Sequence, residues 1–317
     1  MASDGVDMLR ELDFALAEAD SLSVGDRTRS RVLGDALAAR APGPSSLGLP
    51  RISGAEAFRR AAHQLDELLG ELGADEWQRP ALRDLDVQGL VGHLIGVEQA
   101  FADAVEGIDD AVAEADHVSS TQPAAERQRG VDPTETLAAW RHTVERSLRA
   151  VDGADPDADA PMFYGISLPL DLLLVVRAFE VWVHHEDVRR ATGRLPAAPD
   201  DCVLYRMTEL AVELLPVGLA RAGLVTDGDD RCLRMVLTGA GGGTWLVPLD
   251  GSPARHPAAS GSAAPDSGAS ASAVIETVDF CRVVGNRVDP LSPLTRLAGD
   301  ETLLRGLLVG AASLALD

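Results

Sequence analysis

Four side chains able to do acid–base or ligand chemistry punctuate one apolar stretch, LPLDLLLVVRAFEVWVHHEDVRRATG: Arg177, Glu180, His184 and Asp187. Their i, i+3, i+7, i+10 spacing puts them within an arc of about 80° on a helix that turns ~100° per residue. The first two-thirds of this segment is otherwise almost wholly apolar, so the stripe faces a buried environment. Buried charge left unpaired is costly, and the stripe therefore needs partners. One solution is internal: ion pairs of Arg177 with Glu180, or of His184 with Asp187. The other is a cation, because Glu180 and His184 lie one turn apart and can reach the same ion. Zinc accepts imidazole nitrogen and carboxylate oxygen, and catalytic zinc sites use three protein ligands and an open position. The stripe alone leaves both solutions open.

A second candidate, His93, sits mid-helix in GLVGHLIGVEQAF on a mostly apolar face. A lone histidine there also suits a core residue bonded to a backbone group. Gly89, Gly92 and Gly96 flank it, and glycine weakens a helix interior. Such small residues permit the close approach of another helix or of a ligand. Glu98, His185 and Glu186 are expected to face solvent or the edge of the helical layer, and Trp182, on the far side of its helix, to be core. GAGGGTW lacks the GK[ST] ending of a phosphate loop and reads as a hairpin turn.

The elements that must position these residues follow from periodicity and caps. Ser53 opens a helix with Glu56 three residues on, a capping box, and Ala57, Ala61, Leu65, Leu68 and Leu72 recur at helical spacing. Further helices are predicted over about 86–105, over 133–151 with Pro133 in its first turn, and over 168–192 with Ser167 before it and Gly193 as the stop. These four helices, with one long connection over 106–132, predict a four-helix bundle. Beyond residue 196 the texture changes. A helix at 200–222, two strands in RCLRMVLTG and GTWLVPLD, the segment VIETVDFCRVVGNR and a last helix over 300–315 predict a smaller α+β domain. Residues 1–50 read as a helical extension and linker, 51–195 as the bundle, and 196–317 as the second domain, with a disordered loop near 251–272.

The chain has 317 residues, with 28 basic and 50 acidic side chains, a formal net charge of −22. Affinity for nucleic acid or for anionic membranes rests on basic surface, so neither partner is expected. The run Leu172–Val176 is broken by Arg177 and Glu180 and is too short to span a bilayer. The first residues are acidic and lack the order of a signal peptide. The three cysteines, Cys202, Cys232 and Cys281, show no CxxC spacing and are read as small buried hydrophobes of a cytoplasmic protein.

The HL of the second bundle helix together with R-x2-E-x3-H-x2-D in the fourth resembles the mycothiol-dependent maleylpyruvate isomerase family, metal proteins of the DinB-like bundle superfamily. The resemblance covers about residues 53–195 and extends more loosely to the second domain, where DFCRVVGNRVDP leads into the last helix. It implies that His93, Glu180 and His184 bind zinc or another divalent metal, with Asp187 orienting His184 and Arg177 supporting the site. It implies that Arg287 faces the cleft as a catalytic residue able to hold a substrate carboxylate. It also implies mycothiol as cosubstrate, its thiolate adding to and leaving an electrophilic small molecule as an isomerase or S-transferase. Two other readings stand beside it: a non-catalytic metal-binding protein with a structural or regulatory role, and a module carrying an apolar ligand.

Overall fold

The computed structural model describes residues 49–108, 116–158, 162–256, 269–292 and 296–315. Most of the expected extension 1–50, and the centre of the 251–272 loop, lie outside these residues. Eight α-helices and six short strands occur among the described residues, an α+β protein as expected.

Helix α1 (Gly54–Gly70) is capped by Ser53, whose hydroxyl accepts from the Glu56 amide. A short ribbon of β1 (Pro80–Leu82) and β2 (Leu85–Asp86) leads into α2 (Val87–Val105), capped by Asp86. Then come α3 (His117–Arg127), α4 (Pro133–Ala150) and α5 (Leu170–Ala191). The four long helices of the bundle lie where periodicity placed them, α5 beginning after Pro169 rather than at Ser167. The connection between α2 and α4 is not plain loop. It contains α3, opened by Asp116, whose side chain accepts from the Ser119 amide. Asp ahead of a short polar segment is an N-cap signal, but HVSSTQPAAER lacks the apolar stripe that marks longer helices.

Gly92 and Gly96 receive α3. A Cβ at Gly92 would lie 2.9 Å from the Ala125 Cα, and one at Gly96 would lie 2.8 Å from the Ala124 Cβ. The glycines beside His93 therefore serve a helix–helix approach, one of the two uses their size allows.

Helix α6 (Asp201–Arg221) leads to a four-stranded sheet of order β4-β3-β5-β6, in which β3 (Cys232–Thr238) and β4 (Gly243–Pro248) form the expected antiparallel hairpin. Strand β5 (Ala269–Glu276) pairs parallel to β3, and β6 (Arg296–Gly299) closes the other edge antiparallel to β5. Helices α7 (Thr277–Val284) and α8 (Glu301–Ala312) complete the unit. Most of the buried apolar side chains form one continuous cluster, from Ala57 in α1 to Ala311 in α8. Trp182 is core, as expected, and Cys202 and Cys281 are buried, whereas Cys232 is half-buried. No helix among the described residues is long and apolar enough to cross a membrane.

Candidate metal centre

The stripe on α5 turns inward against α2 and α3. Glu180 Oε1 lies 3.4 Å from His93 Nε2 and 3.1 Å from His117 Nε2. His93, His117 and Glu180 each offer a donor atom, all within 4.8 Å of one another. Of the sequence-predicted residues, His93 and Glu180 belong to this compact donor set, whereas His184 stands beside it, its ring 5.3 Å from that of His93, centroid to centroid. His117 is the member that sequence reasoning missed. It is the first residue of α3, its ring 5.1 Å from that of His93 and edge-on to Tyr164 at 4.7 Å.

Hydrogen bonds fix two of the imidazole tautomers. The Thr121 hydroxyl has one proton and gives it to the α3 backbone, at the His117 or Val118 carbonyl, 3.0 and 3.1 Å away. Its oxygen then accepts from His93 Nδ1–H at 2.7 Å, leaving the lone pair on Nε2 toward Glu180. Asp187 Oδ2 accepts from His184 Nδ1–H at 3.0 Å and leaves that ring's Nε2 lone pair free. A ligating histidine held by carboxylate or hydroxyl through its other nitrogen is the usual surrounding of a metal site. Burial depresses the His93 pKa despite Glu180, which keeps its lone pair available near neutral pH.

Both ion pairs that the stripe allowed are formed as well. Arg177, fully buried, donates to Glu180 and to Glu98 Oε1, the latter from Nε at 3.0 Å and Nη2 at 2.7 Å. Glu98 also accepts from the Ser147 hydroxyl at 3.1 Å. It is completely buried and its pKa is raised by that burial, a correction to the expectation of a bundle-edge carboxylate. Burial also works against ionised Glu180, but Arg177, His117 and His93 outweigh it and hold its carboxyl well below the usual range. On the outer side, Asp187 accepts from Arg287 Nε and Nη2 and from Arg190 Nη2. Arg287 thus reaches the centre through Asp187, and it also donates to the Gly285 carbonyl at 2.8 Å. His185 and Glu186, expected outside, are buried; Glu186 accepts from Arg282 of α7 at 2.8 Å.

The ion pairs do not exhaust the site. Among the described residues, both ring nitrogens of His117 and Oε1 of Glu180 are buried without a hydrogen-bond partner, the 3.1 Å approach being out of alignment. Unsatisfied buried polar atoms are uncommon and point to a water or an ion. Donors ~2.05 Å from a tetrahedral zinc stand ~3.3 Å apart, from the usual Zn–N and Zn–O lengths. The observed 3.1 and 3.4 Å match that edge. Imidazole and carboxylate donors fit zinc, and the residues present fit a divalent cation.

Two clefts flank the centre, and their linings share only His184. One, of about 140 Å³, is lined by His93, Arg83, Asp84 and Gln122 among others. The other, of about 270 Å³, runs from Glu180 and His184 along α5, α6 and α7.

Fold and site together define a class: a helical bundle with a histidine–carboxylate cluster able to take a cation, joined to a small α+β unit that reinforces it through Asp187. The comparisons with known proteins make it specific. Residues 58–189 match the family model described as the mycothiol maleylpyruvate isomerase N-terminal domain. A solved structure of mycothiol-dependent maleylpyruvate isomerase is similar over 80% of this chain and 95% of its own, at 14% identity and a TM-score of 0.52. A histidine-to-alanine variant of that enzyme aligns over the same shares at 13% identity and 0.51. No curated protein matches the sequence. At these identities the structural likeness speaks for the fold, which extends beyond the bundle into the second unit.

Proposed function

We propose that this protein is a metal-dependent enzyme that uses mycothiol, or a thiol like it, to isomerise or S-conjugate an electrophilic small molecule. In this reading His93, Glu180 and His184 hold zinc or another divalent ion, with His117 as an additional ligand. Residues 51–195 form the metal-binding domain, and 196–317 the domain that braces it. The observation that carries the reading is the buried, unpartnered donor set of His117 and Glu180 Oε1 facing imidazoles whose lone pairs are already oriented. The likeness of the bundle to that family model supports a thiol as cosubstrate.

A bound divalent cation supplies charge that stabilises a thiolate, the nucleophilic form of a thiol. The chain's own groups prepare the place. Arg177 keeps Glu180 ionised. Thr121 and Asp187 accept from Nδ1–H of His93 and His184, so Nε2 is the nitrogen each ring has left for an ion. Arg287 holds Asp187, so its part in catalysis is to position rather than to grip a substrate carboxylate.

One observation favours the second reading, a non-catalytic metal site. His117 raises the protein ligands to four, and a structural zinc site is closed in that way. The test is cobalt substitution with mycothiol titration, alongside metal content of wild type, His184→Ala and His117→Ala. The enzyme reading expects one metal per chain, loss of metal in His184→Ala, and a new sulfur-to-cobalt absorption band on adding thiol. Unchanged stoichiometry in His184→Ala sinks the ligand assignment. A cobalt spectrum indifferent to thiol sinks the enzyme reading in favour of the closed site.

A further inference from the structure

The larger cleft begins at Glu180 and His184, and its walls are hydrocarbon. Ile166, Val176 and Phe179 form part of one side, Leu210 and Leu214 of α6 another, and Val284 another. At about 270 Å³ it is near the lower end of small-molecule sites, roughly 300–1,000 Å³. Among the described residues, Arg221 is the only Lys or Arg in the lining, and it donates to the Ser313 carbonyl at 2.6 Å. Arg287, the residue that could have clamped a carboxylate, is outside the lining and turned to Asp187 and the Gly285 carbonyl. A dicarboxylate placed here would surrender hydration along apolar walls with at most one partially committed guanidinium in return. Desolvation of charge without partners is strongly unfavourable, whereas an apolar body gains by leaving water.

We infer that the electrophile of this protein is a small, apolar-bodied molecule bearing at most one carboxylate, bound in the cleft between α5, α6 and α7 with its reactive carbon at the Glu180–His184 end. This rests on the thiol-dependent reading and narrows its substrate. The smaller cleft, with Arg83, Asp84 and Gln122 in its lining, is left to the polar thiol. For an aryl enone the chemistry balances without a further reactant. The thiolate sulfur bonds to the β carbon, the C=C pair moves to the carbonyl oxygen as enolate, and the proton released by the thiol returns to the α carbon. Reversal after rotation about the Cα–Cβ bond gives cis–trans isomerisation, and release without reversal gives the thioether.

The experiment uses the full chain loaded with zinc and two probes, neutral 4-phenylbut-3-en-2-one and dianionic fumarate. Binding is read by titration calorimetry in wild type, Leu214→Gln and Val217→Lys. Val217 lines the same cleft and is 47% exposed, so a lysine there leaves the core intact. The expected result is that the enone binds at least about tenfold more tightly than fumarate, and weakens roughly tenfold in Leu214→Gln or Val217→Lys as apolar contact is lost. Fumarate binding as well as the enone, or enone affinity unchanged in both variants, overturns the inference. A parallel assay with mycothiol separates the two readings. Variant-sensitive enone binding without thioether or isomer keeps the cleft assignment and removes the thiol chemistry.

Discussion

At the scale of single residues, the centre depends on charges that are buried yet answered. Arg177 and Glu98 have no exposed side-chain area, and two guanidinium nitrogens of Arg177 meet one oxygen of Glu98. Its third nitrogen meets Glu180, so Glu98 anchors the group that keeps Glu180 ionised and in place. Such a pair is weak evidence of net stability, but removing one partner strands the other. Glu98→Ala is therefore expected to cost about 3–5 kcal/mol in urea unfolding. It is also expected to weaken metal binding by loosening Glu180. Unfolding within experimental error of wild type would mean that Arg177 finds another partner and the chain Glu98–Arg177–Glu180 is not what holds the carboxylate.

At the scale of elements, α3 decides whether a bound ion would meet His117 as well as the donors on α2 and α5. It is 11 residues long and includes Pro123, so propensity does not hold it alone. Its seat is the groove that Gly92 and Gly96 open on α2, which brings His117 and Thr121 to His93. In an isolated helix Gly92→Ala would stabilise by about 1 kcal/mol. Here the new methyl meets the α3 backbone, and overpacking of this kind costs about 1–3 kcal/mol. The expected outcome is a less stable protein with lower metal affinity, measured by thermal melting and chelator competition. A more stable variant with unchanged metal affinity would show that α3 is not seated by the glycines. The helix was hard to read because its N-cap is the one strong local signal, while the feature that needs it lies on another helix, about 28 residues earlier in the chain by the His93–Thr121 bond.

At the scale of the molecule, the second unit reaches back to the bundle through three ion pairs on α5, Arg287 with Asp187, Arg282 with Glu186 and Arg206 with Asp171. Together with the continuous apolar cluster, these make the orientation of His184 depend on the fold of the sheet unit. Loss of such outer support costs metal sites about 10–100-fold in affinity. Arg287→Ala is expected to fall in that range by chelator competition while its circular dichroism matches wild type. Lysine restores charge but not the forked geometry, so Arg287→Lys should recover only part of the loss. Full metal affinity in Arg287→Ala would return Arg287 to a direct role toward substrate.

The order of Arg177, Glu180, His184 and Asp187 on one helical face was determined by the sequence itself, because a period of ~3.6 residues is a local property of the backbone. So were the caps at Ser53 and Gly193, and the break in texture after residue 196. Tertiary structure decided the rest: that both ion pairs and a donor set coexist on that face, that Glu98 and Glu186 are buried, and that His117 joins the centre. It also decided that Arg287 meets a carboxylate of its own chain, and that the cleft beside Glu180 is apolar. Each of these depends on which faces of distant segments are pressed together, and that is a property of packing that no window of neighbouring residues contains.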